Sequence, residues 1–506
     1  MTAVLLLTIL APSAGAFLLP FAGRMSEKLR DSLALVFVLG AFIFSAVMLP
    51  AALSDRPASI EVVLPLGLSF GFLADRLAIF MALISSFIAG IIVLYSVSYI
   101  AHGKNKSEYY LMVTLFLGAM MGLVYSTNLI LIYVFWEISA ITCWRLIGFF
   151  REPDNIVRAD KAFLVTAFGA LVMLIGFVLI FQETGTFDIT QMKGTPIPNL
   201  AVLLILVGIF SKSATLPLHT WLIDAGVAPA PVTSLLHAAV LVKIGIYAYA
   251  RLFLFGFVIG DMWYTVVPVV AAISALVAAG AAMRDNDLKR IIAYSTVSQI
   301  GFIFLGLSTG NELGVAGGLL YILMHGLAKG GLFLCAGIVE HNTHTKDIRK
   351  LGGLIKTMPL TAIAFLFCSF SLMGIPPFGG FFSKFMVISG AVSAGNPWVA
   401  AVFVLGALMT ILYLLRVFKA VFLGKPQGGS EALEANGIRG ISEAREVSEA
   451  HEGVHGVVHG EAREGSKTMV ASVMSLAVLS LIAGLFIFYP SLFAQEIVAQ
   501  IAWWPL

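Results

Sequence analysis

Runs of about twenty apolar residues recur about fourteen times along this chain, and no other feature narrows its possible folds so far. In hydrocarbon no water is available to a backbone N–H or C=O. A segment of that length therefore crosses as a helix, which pairs its own polar groups. The segments read approximately Thr2–Pro20, Ser32–Leu53, Asp75–Ile100, Tyr109–Tyr125, Asn128–Phe150, Asp160–Phe181 and Leu200–Ala225. They continue as Pro231–Phe253, Trp263–Met283, Leu288–Leu307, Leu313–Glu340, Pro359–Ser389, Pro397–Leu423 and Thr468–Ile487. The 506 residues are 59% hydrophobic and 12% charged, against about 25% charged in a soluble domain. The expected fold is an all-α polytopic membrane protein with about 14 transmembrane helices.

Five charged residues fall near the middle of these segments: Glu137, Lys212, Lys243, Lys329 and Lys384. Lysine at the bilayer centre costs about 3 kcal/mol or more, so such residues normally face a wet interior and mark an ion pathway. The bland alternative is snorkelling from near a helix end. Lys212 and Lys243 each lie about twelve residues into their segments, close to mid-bilayer at roughly 1.5 Å per residue. That depth favours the pathway.

The loops test the helix count. Arg24, Lys28 and Arg30 follow the first segment, Lys104 and Lys106 the third, and Arg151, Arg158 and Lys161 the fifth. The same side collects Arg284, Lys289, Arg290, Lys346, Arg349, Lys350 and Lys356, then Lys419, Lys425, Arg439, Arg445, Arg463 and Lys467. Opposite loops carry little more than Arg56, Arg76, Lys193 and Arg251. The basic side is expected to be cytoplasmic, which puts both termini outside a cell inner (cytoplasmic) membrane. Met1 to Ala16 lacks a positive n-region and reads as an uncleaved first span. Cys143, Cys335 and Cys368 fall within spans and lack metal-ligand spacing, so zinc, an iron–sulfur cluster and a disulfide framework are not expected. With no credible strands, no phosphate loop follows one. The chain contains no evident engine of its own.

Two spans are interrupted. Ser211-Lys212-Ser213-Ala214-Thr215-Leu216-Pro217 removes the N–H that the Ser213 carbonyl would need, so the seventh helix is expected to open at Pro217. Gly374-Ile375-Pro376-Pro377-Phe378-Gly379-Gly380 breaks the twelfth just before Lys384. Irregular backbone at membrane depth lines a cavity or is buried in protein. Two such spans five helices apart, each with a lysine, have the form of internal inverted repeats. An ordinary proline kink would explain either one alone. Lys212 precedes its break, where the helix dipole favours an ammonium; Lys384 follows its break, where the dipole disfavours one. Lys384 is therefore expected to be the easier to deprotonate, and a lower pKa at Lys212 in separate titrations would refute this.

Glu137 has no basic residue at i+3 or i+4, so its partner must come from another helix, and a nearby Lys212 would keep it charged. His325 and Lys329 are four apart on one face, as a proton relay requires. His237 and Lys243 are six apart, which argues against a direct pair. His237 is equally readable as a hydrogen-bonded core histidine.

Several longer motifs follow in order. They include Phe135-Trp136-Glu137, Ser211-Lys212-Ser213, Pro217-Leu218-His219-Thr220-Trp221-Leu222, Asp224-Ala225 and Pro229-Ala230-Pro231-Val232-Thr233. Leu236-His237-Ala238-Ala239, Lys243, Ile292-Ala293-Tyr294-Ser295-Thr296-Val297-Ser298-Gln299, His325-Gly326-Leu327-Ala328-Lys329 and Gly374-Ile375-Pro376-Pro377 complete the series. Over about 110–385 this succession resembles the antiporter-like subunit family of respiratory NADH–quinone oxidoreductase (complex I). That family is shared with multisubunit Na⁺/H⁺ (Mrp-type) antiporters and membrane-bound NiFe hydrogenases. The resemblance implies fourteen helices with two inverted five-helix repeats, each with one broken helix. The implied layout is helices one to three over 1–107, repeats over 108–258 and 259–423, an insertion over 424–467, and a last helix and tail over 468–506. It also implies site roles: Glu137 controls the first lysine, Lys212, and Lys243 bridges two half-channels. His325 and Lys329 form the central relay, and Lys384 exchanges a proton with the outside. While Glu137 is close, Lys212 would hold its proton; withdrawing that charge would release it.

Two features depart from the family pattern. Arg145, eight residues after Glu137, either salt-bridges a neighbouring helix or subunit or sits at the cytoplasmic interface. The stretch Gly424 to Lys467 repeats Ser-Glu-Ala and reads as a surface insertion. Its His451, His455 and His459 at i, i+4 and i+8 are either solvated or a metal-binding face. The sequence stops soon after its fourteenth helix, which suits the family's shorter members, and Trp503 and Trp504 suit an interface anchor.

The leading expectation is a proton- or Na⁺/H⁺-translocating, non-redox subunit of a redox-driven complex of the hydrogenase or NADH dehydrogenase type. Its partners would be other antiporter-like and small membrane subunits and a soluble redox arm, with the lipid bilayer around it and no nucleic acid. Cofactors are expected only in partners, as iron–sulfur clusters, flavin or a NiFe centre. The alternatives are a Na⁺/H⁺ antiporter subunit without a redox arm, and a scaffold with an inactive pathway.

Overall fold

The computed structural model describes residues 1–63, 69–101, 103–424 and 463–501. Among these, twelve helices are long and apolar enough to cross a membrane. They are α1 (Thr2–Met25), α2 (Glu27–Leu53), α3 (Arg76–Tyr99), α4 (Lys106–Tyr125), α5 (Leu129–Ile147) and α6 (Pro153–Thr184). Then come α8 (Ala230–Leu254), α9 (Trp263–Arg284), α10 (Leu288–Leu307), α11 (Glu312–Thr343), α13 (Pro397–Leu423) and α14 (Lys467–Leu485). Two further crossings are in pieces: α7a (Asn199–Lys212) with α7b (Thr220–Asp224), and α12a (Pro359–Met373) with α12b (Gly379–Ser393). The protein is an all-α, polytopic membrane protein, as its composition required. His451, His455, His459, Trp503 and Trp504 lie outside the described residues.

Several boundaries differ from the sequence reading. Helix α6 begins at Pro153, earlier than Asp160, because Pro153 and Asp154 suit a first helical turn while the charges hide that turn from a search for apolar runs. A short α15 (Phe488–Val498) follows α14. The expectation of no strands is wrong. Strands β1 (Ala58–Val63) and β2 (Ser69–Ala74) form an antiparallel hairpin, and β3 (Thr195–Pro196) and β4 (Phe257–Val258) make a short parallel pair. The hairpin's alternation at Ile60 and Val62 was the signal passed over. Arg251, read as a loop residue, is buried in the last turn of α8.

Helices α4–α8 and α9–α13 match in order and length, with 20, 19 and 32 residues in α4 to α6 against 22, 20 and 32 in α9 to α11. Their connections match too. Asn128 caps α5 and bridges Asp188; Asp287 caps α10 and bridges Asp347. Leu129 N–H donates to Phe187 O at 2.9 Å and Leu288 N–H to Lys346 O at 2.7 Å. On the basic side, the Arg349 hydrogen bonds outweigh burial and hold the Asp347 carboxyl below the usual carboxylate range.

The two breaks share one construction. Helix α7a ends at Lys212, before the expected opening at Pro217, because Ala214 adopts the left-handed region at φ 53. Gly374 does the same after α12a at φ 78. Thr215 N–H then donates to Phe210 O at 2.9 Å and Ile375 N–H to Phe370 O at 3.0 Å. A cis bond follows in each, Leu216–Pro217 and Pro376–Pro377. By this register Lys212 corresponds to Leu372.

Glycines let neighbouring backbones close on both breaks. A Cβ on Gly245 of α8 would lie 2.7 Å from Ile209 O, and one on Gly484 of α14 would overlap Pro377 O. Gly280 of α9 has only Met409 Cε, 3.9 Å away. Gly484→Ala should therefore cost about 1–3 kcal/mol of overpacking. Gly280→Ala should be neutral or gain about 0.5–1 kcal/mol from helix propensity. Thermal unfolding of the detergent-purified chain tests this; equal midpoints for the two variants would contradict it.

Candidate functional site

Helix α11 places Tyr321, His325 and Lys329 one turn apart on a single buried face. Together they reach α8, α10 and α12b. Lys329 Nζ donates to Ile292 O of α10 at 2.8 Å and to Ser295 Oγ. His325 Nδ1 lies 2.7 Å from Lys243 Nζ of α8. Tyr321 presents its ring to Lys384 Nζ at 5.5 Å and donates its hydroxyl to Gln299 Oε1 at 2.5 Å. The expected relay pair is thus on one face, but its members bond to other helices instead of to each other.

Lys384 sits in the second turn of α12b, yet its ammonium reaches back across the break. Nζ donates to Leu372 O at 2.5 Å and lies 4.4 Å from the Phe302 ring centroid. The dipole argument expected it to feel the start of a helix. It rests instead at the carbonyl end of α12a, where the dipole favours a cation. The basis for ranking Lys384 as the easier to deprotonate is therefore gone.

Lys212 donates to Trp136 O of α5 at 3.1 Å and lies 5.4 Å from the Trp136 ring centroid. Glu137 is the next residue round that helix. Among the described residues no carboxylate oxygen lies within 4 Å of Lys212 Nζ, and Glu137 Oε1 is buried without a hydrogen-bond partner. The expected Glu137–Lys212 contact is not formed in this state. Nor does a direct hydrogen bond join Lys212 to Lys243; the two helices meet through Gly245 packed on α7a.

His237 Nδ1 lies 3.1 Å from Thr296 Oγ1 and its ring packs on Phe333. It belongs to a π-turn, Leu235–Ala239, that interrupts α8 just before Lys243. Pro217, Pro376 and Pro377 all lie in the turns of the two breaks. Arg145 donates to Glu108 Oε1 of α4, and Arg151 binds the other Glu108 oxygen at 2.8 Å. It therefore ties two helices at their basic-side ends, which combines the two readings open to it.

On the helices that carry or hold these lysines several buried polar atoms lack a protein partner: His237 Nε2, His325 Nε2, Ser298 Oγ, Ser369 Oγ and Ser371 Oγ among them. Such atoms are where water completes a hydrogen-bond network. Trp136, Phe302, Tyr321 and Ser295 escaped the sequence reading as site residues. Only Tyr321, one turn before His325, carried a usable spacing signal. Among the described residues no three His, Cys, Asp or Glu side chains gather as a metal site, and Cys143, Cys335 and Cys368 are buried free thiols.

A bundle of spanning helices with two broken members and a buried row of lysines defines a membrane protein of the antiporter-like class. The chain matches the model of the family described as "NADH:quinone oxidoreductase/Mrp antiporter, TM" over residues 126–410, and belongs to that family. Residues 62–110 match "NADH-Ubiquinone oxidoreductase (complex I), chain 5 N-terminus". The chain is 34% identical to the Na(+)/H(+) antiporter A-subunit of Alkalihalophilus pseudofirmus over 82% of this chain and 56% of that one. It is 31% identical to the corresponding A1-subunit of Staphylococcus haemolyticus over 97% of this chain and 62% of that one. It thus spans less than two thirds of the length of these relatives. Among solved structures, a chain of the Mrp complex from Dietzia sp. superposes with a TM-score of 0.86 at 26% identity, covering 99% of this chain and 98% of that one. A chain of the archaeal membrane-bound sulfane sulfur reductase shares the fold, with a TM-score of 0.83 at 22% identity over 98% of this chain and 97% of that one.

The hydrogen bonds assign each histidine a separate partner. In solid-state NMR of histidine-labelled protein, Lys243→Met should shift the ¹⁵Nδ1 resonance of His325 and leave His237 in place. Thr296→Val should do the reverse. A shift of both by either variant would show that the partners are misassigned.

Proposed function

We propose that this chain is a cation- and proton-translocating subunit of a multisubunit Na⁺/H⁺ antiporter, carrying protons along the mid-membrane row of Lys212, Lys243, His325, Lys329 and Lys384. The observation that carries the reading is the 2.7 Å contact between Lys243 and His325, which places two proton-exchanging nitrogens of different helices within one hydrogen bond. The orphan polar atoms beside it support a hydrated path. Glu137 lies one residue from the group that holds Lys212, so a small rearrangement would bring carboxylate and ammonium together and pass charge along the row.

The same reading takes α4–α8 and α9–α13 as inverted repeats. An odd number of crossings makes the second start from the opposite membrane face. It places the basic loops in the cytoplasm and surrounds the chain with other antiporter-like and small membrane subunits. The names of the 30–34% identical relatives support the antiporter over the redox-driven pump that the sequence alone favoured. The redox alternative is supported by a likeness of fold. A soluble redox arm with cofactors belongs to that alternative.

Exchange of Na⁺ for H⁺ in everted vesicles is the test. Lys212→Met and Lys384→Met should each reduce it at least 100-fold, within the range for loss of a proton-transferring group, while the assembled complex keeps its yield. Unchanged exchange in both variants would reduce the chain's role to that of a scaffold. Exchange only on addition of an electron donor would restore the redox reading.

A further inference from the structure

Lys243 lies on a face of α8 that leads to the sparsely basic side of the membrane. Tyr247 and Arg251 follow it at one-turn spacing. Arg251 grips the Asp75 carboxylate with both terminal nitrogens, Nη1 to Oδ2 at 2.5 Å and Nη2 to Oδ1 at 2.7 Å. Its Nε–H donates to Tyr247 Oη at 2.7 Å, and that hydroxyl donates to Val124 O of α4 at 2.5 Å. Asp75 also caps α3 by accepting from Ala78 N at 2.9 Å. Arg251 and Asp75 are both nearly inaccessible, with side chains 10% and 14% exposed.

The contrast with the mid-membrane row is in satisfaction. Around His237, His325 and Ser298 buried polar atoms lack partners. Among the described residues, every side-chain polar atom of Tyr247, Arg251 and Asp75 has one. The face between Lys243 and the near membrane surface is therefore closed by hydrogen bonds and holds a guanidinium that stays charged at any working pH. Asp75 offsets much of that charge, so what bars protons and metal cations is the filled hydrogen-bond set around a group that does not release its proton.

We propose that the Arg251–Asp75 pair, backed by Tyr247, is the seal of the proton path on the sparsely basic side. It stops a proton on Lys243 from escaping directly and obliges it to continue through α11 to Lys384. This rests on the translocation reading above. The pair acts through the path's geometry and exchanges no proton itself.

The test is the passive collapse of an imposed pH gradient, with no Na⁺ present, in everted vesicles carrying the full chain with its native membrane neighbours. Arg251→Gln should speed the collapse at least tenfold over wild type, and Arg251→Lys, which keeps an ion pair but not the three-nitrogen fork, should leak at a rate between the two. Adding Lys243→Met to Arg251→Gln should return the leak to the wild-type rate, because the leak runs through Lys243. A loosened fold would leak regardless of that lysine. Should Arg251→Gln fail to accumulate, the neutral pair Asp75→Asn with Arg251→Gln takes its place with the same expectation. A gradient held as tightly as in wild type, or a leak that survives Lys243→Met, would overturn the seal. Absence of Na⁺/H⁺ exchange in the wild-type vesicles would instead overturn the translocation reading.

Discussion

A backbone carbonyl that loses its helical partner in the middle of a membrane can turn only to the protein or to enclosed water. This chain creates two such places, at the ends of α7a and α12a, and much of its interior is arranged around them. Trp221 Nε1 donates to Ser211 O at 2.9 Å in one, and Lys384 Nζ to Leu372 O in the other. Gly245 and Gly484 admit neighbouring backbones against the breaks. The lysine's position differs between the two breaks, from the last turn before one to the second turn after the other. The ammonium nevertheless returns to a carbonyl end in the second.

Helix α11 then joins the parts. Its three residues at one-turn spacing touch α8, α10 and the α12 break, so a displacement of this one helix changes the surroundings of three lysines together. Those lysines are held by carbonyls, hydroxyls, a histidine and aromatic faces, without a fixed carboxylate among the described residues. A buried ion pair would lock a charge in place. Neutral partners leave each ammonium free to respond to a neighbouring charge.

The lysines, both breaks and the membrane class were legible in the sequence because a charge or a Gly-Pro run stands out against an apolar background. Trp136, Phe302 and Tyr321 were not, since an aromatic residue in an apolar helix looks like core whether or not a cation lies over it. The carboxylate partner expected for Lys212 failed for another reason. Spacing along a chain reports neighbours within a helix, whereas the choice between Trp136 O and Glu137 depends on how α5 is rotated against α7a. The reversal of the Lys384 dipole argument has the same origin, because a long side chain need not stay beside its own Cα. The hairpin was lost by treating every segment between spans as loop.

The central claim is that a hydrated polar row runs through the middle of the bundle and is closed on the α8 face beyond Lys243. A cryo-EM map of the assembled complex, at a resolution that places ordered water, tests it most directly. The account predicts water at His237 Nε2, His325 Nε2 and Ser298 Oγ linking the lysines, and none between Tyr247 and Asp75. A dry gap between Lys243 and Lys384, or an open file of water from Lys243 past Arg251, would contradict it.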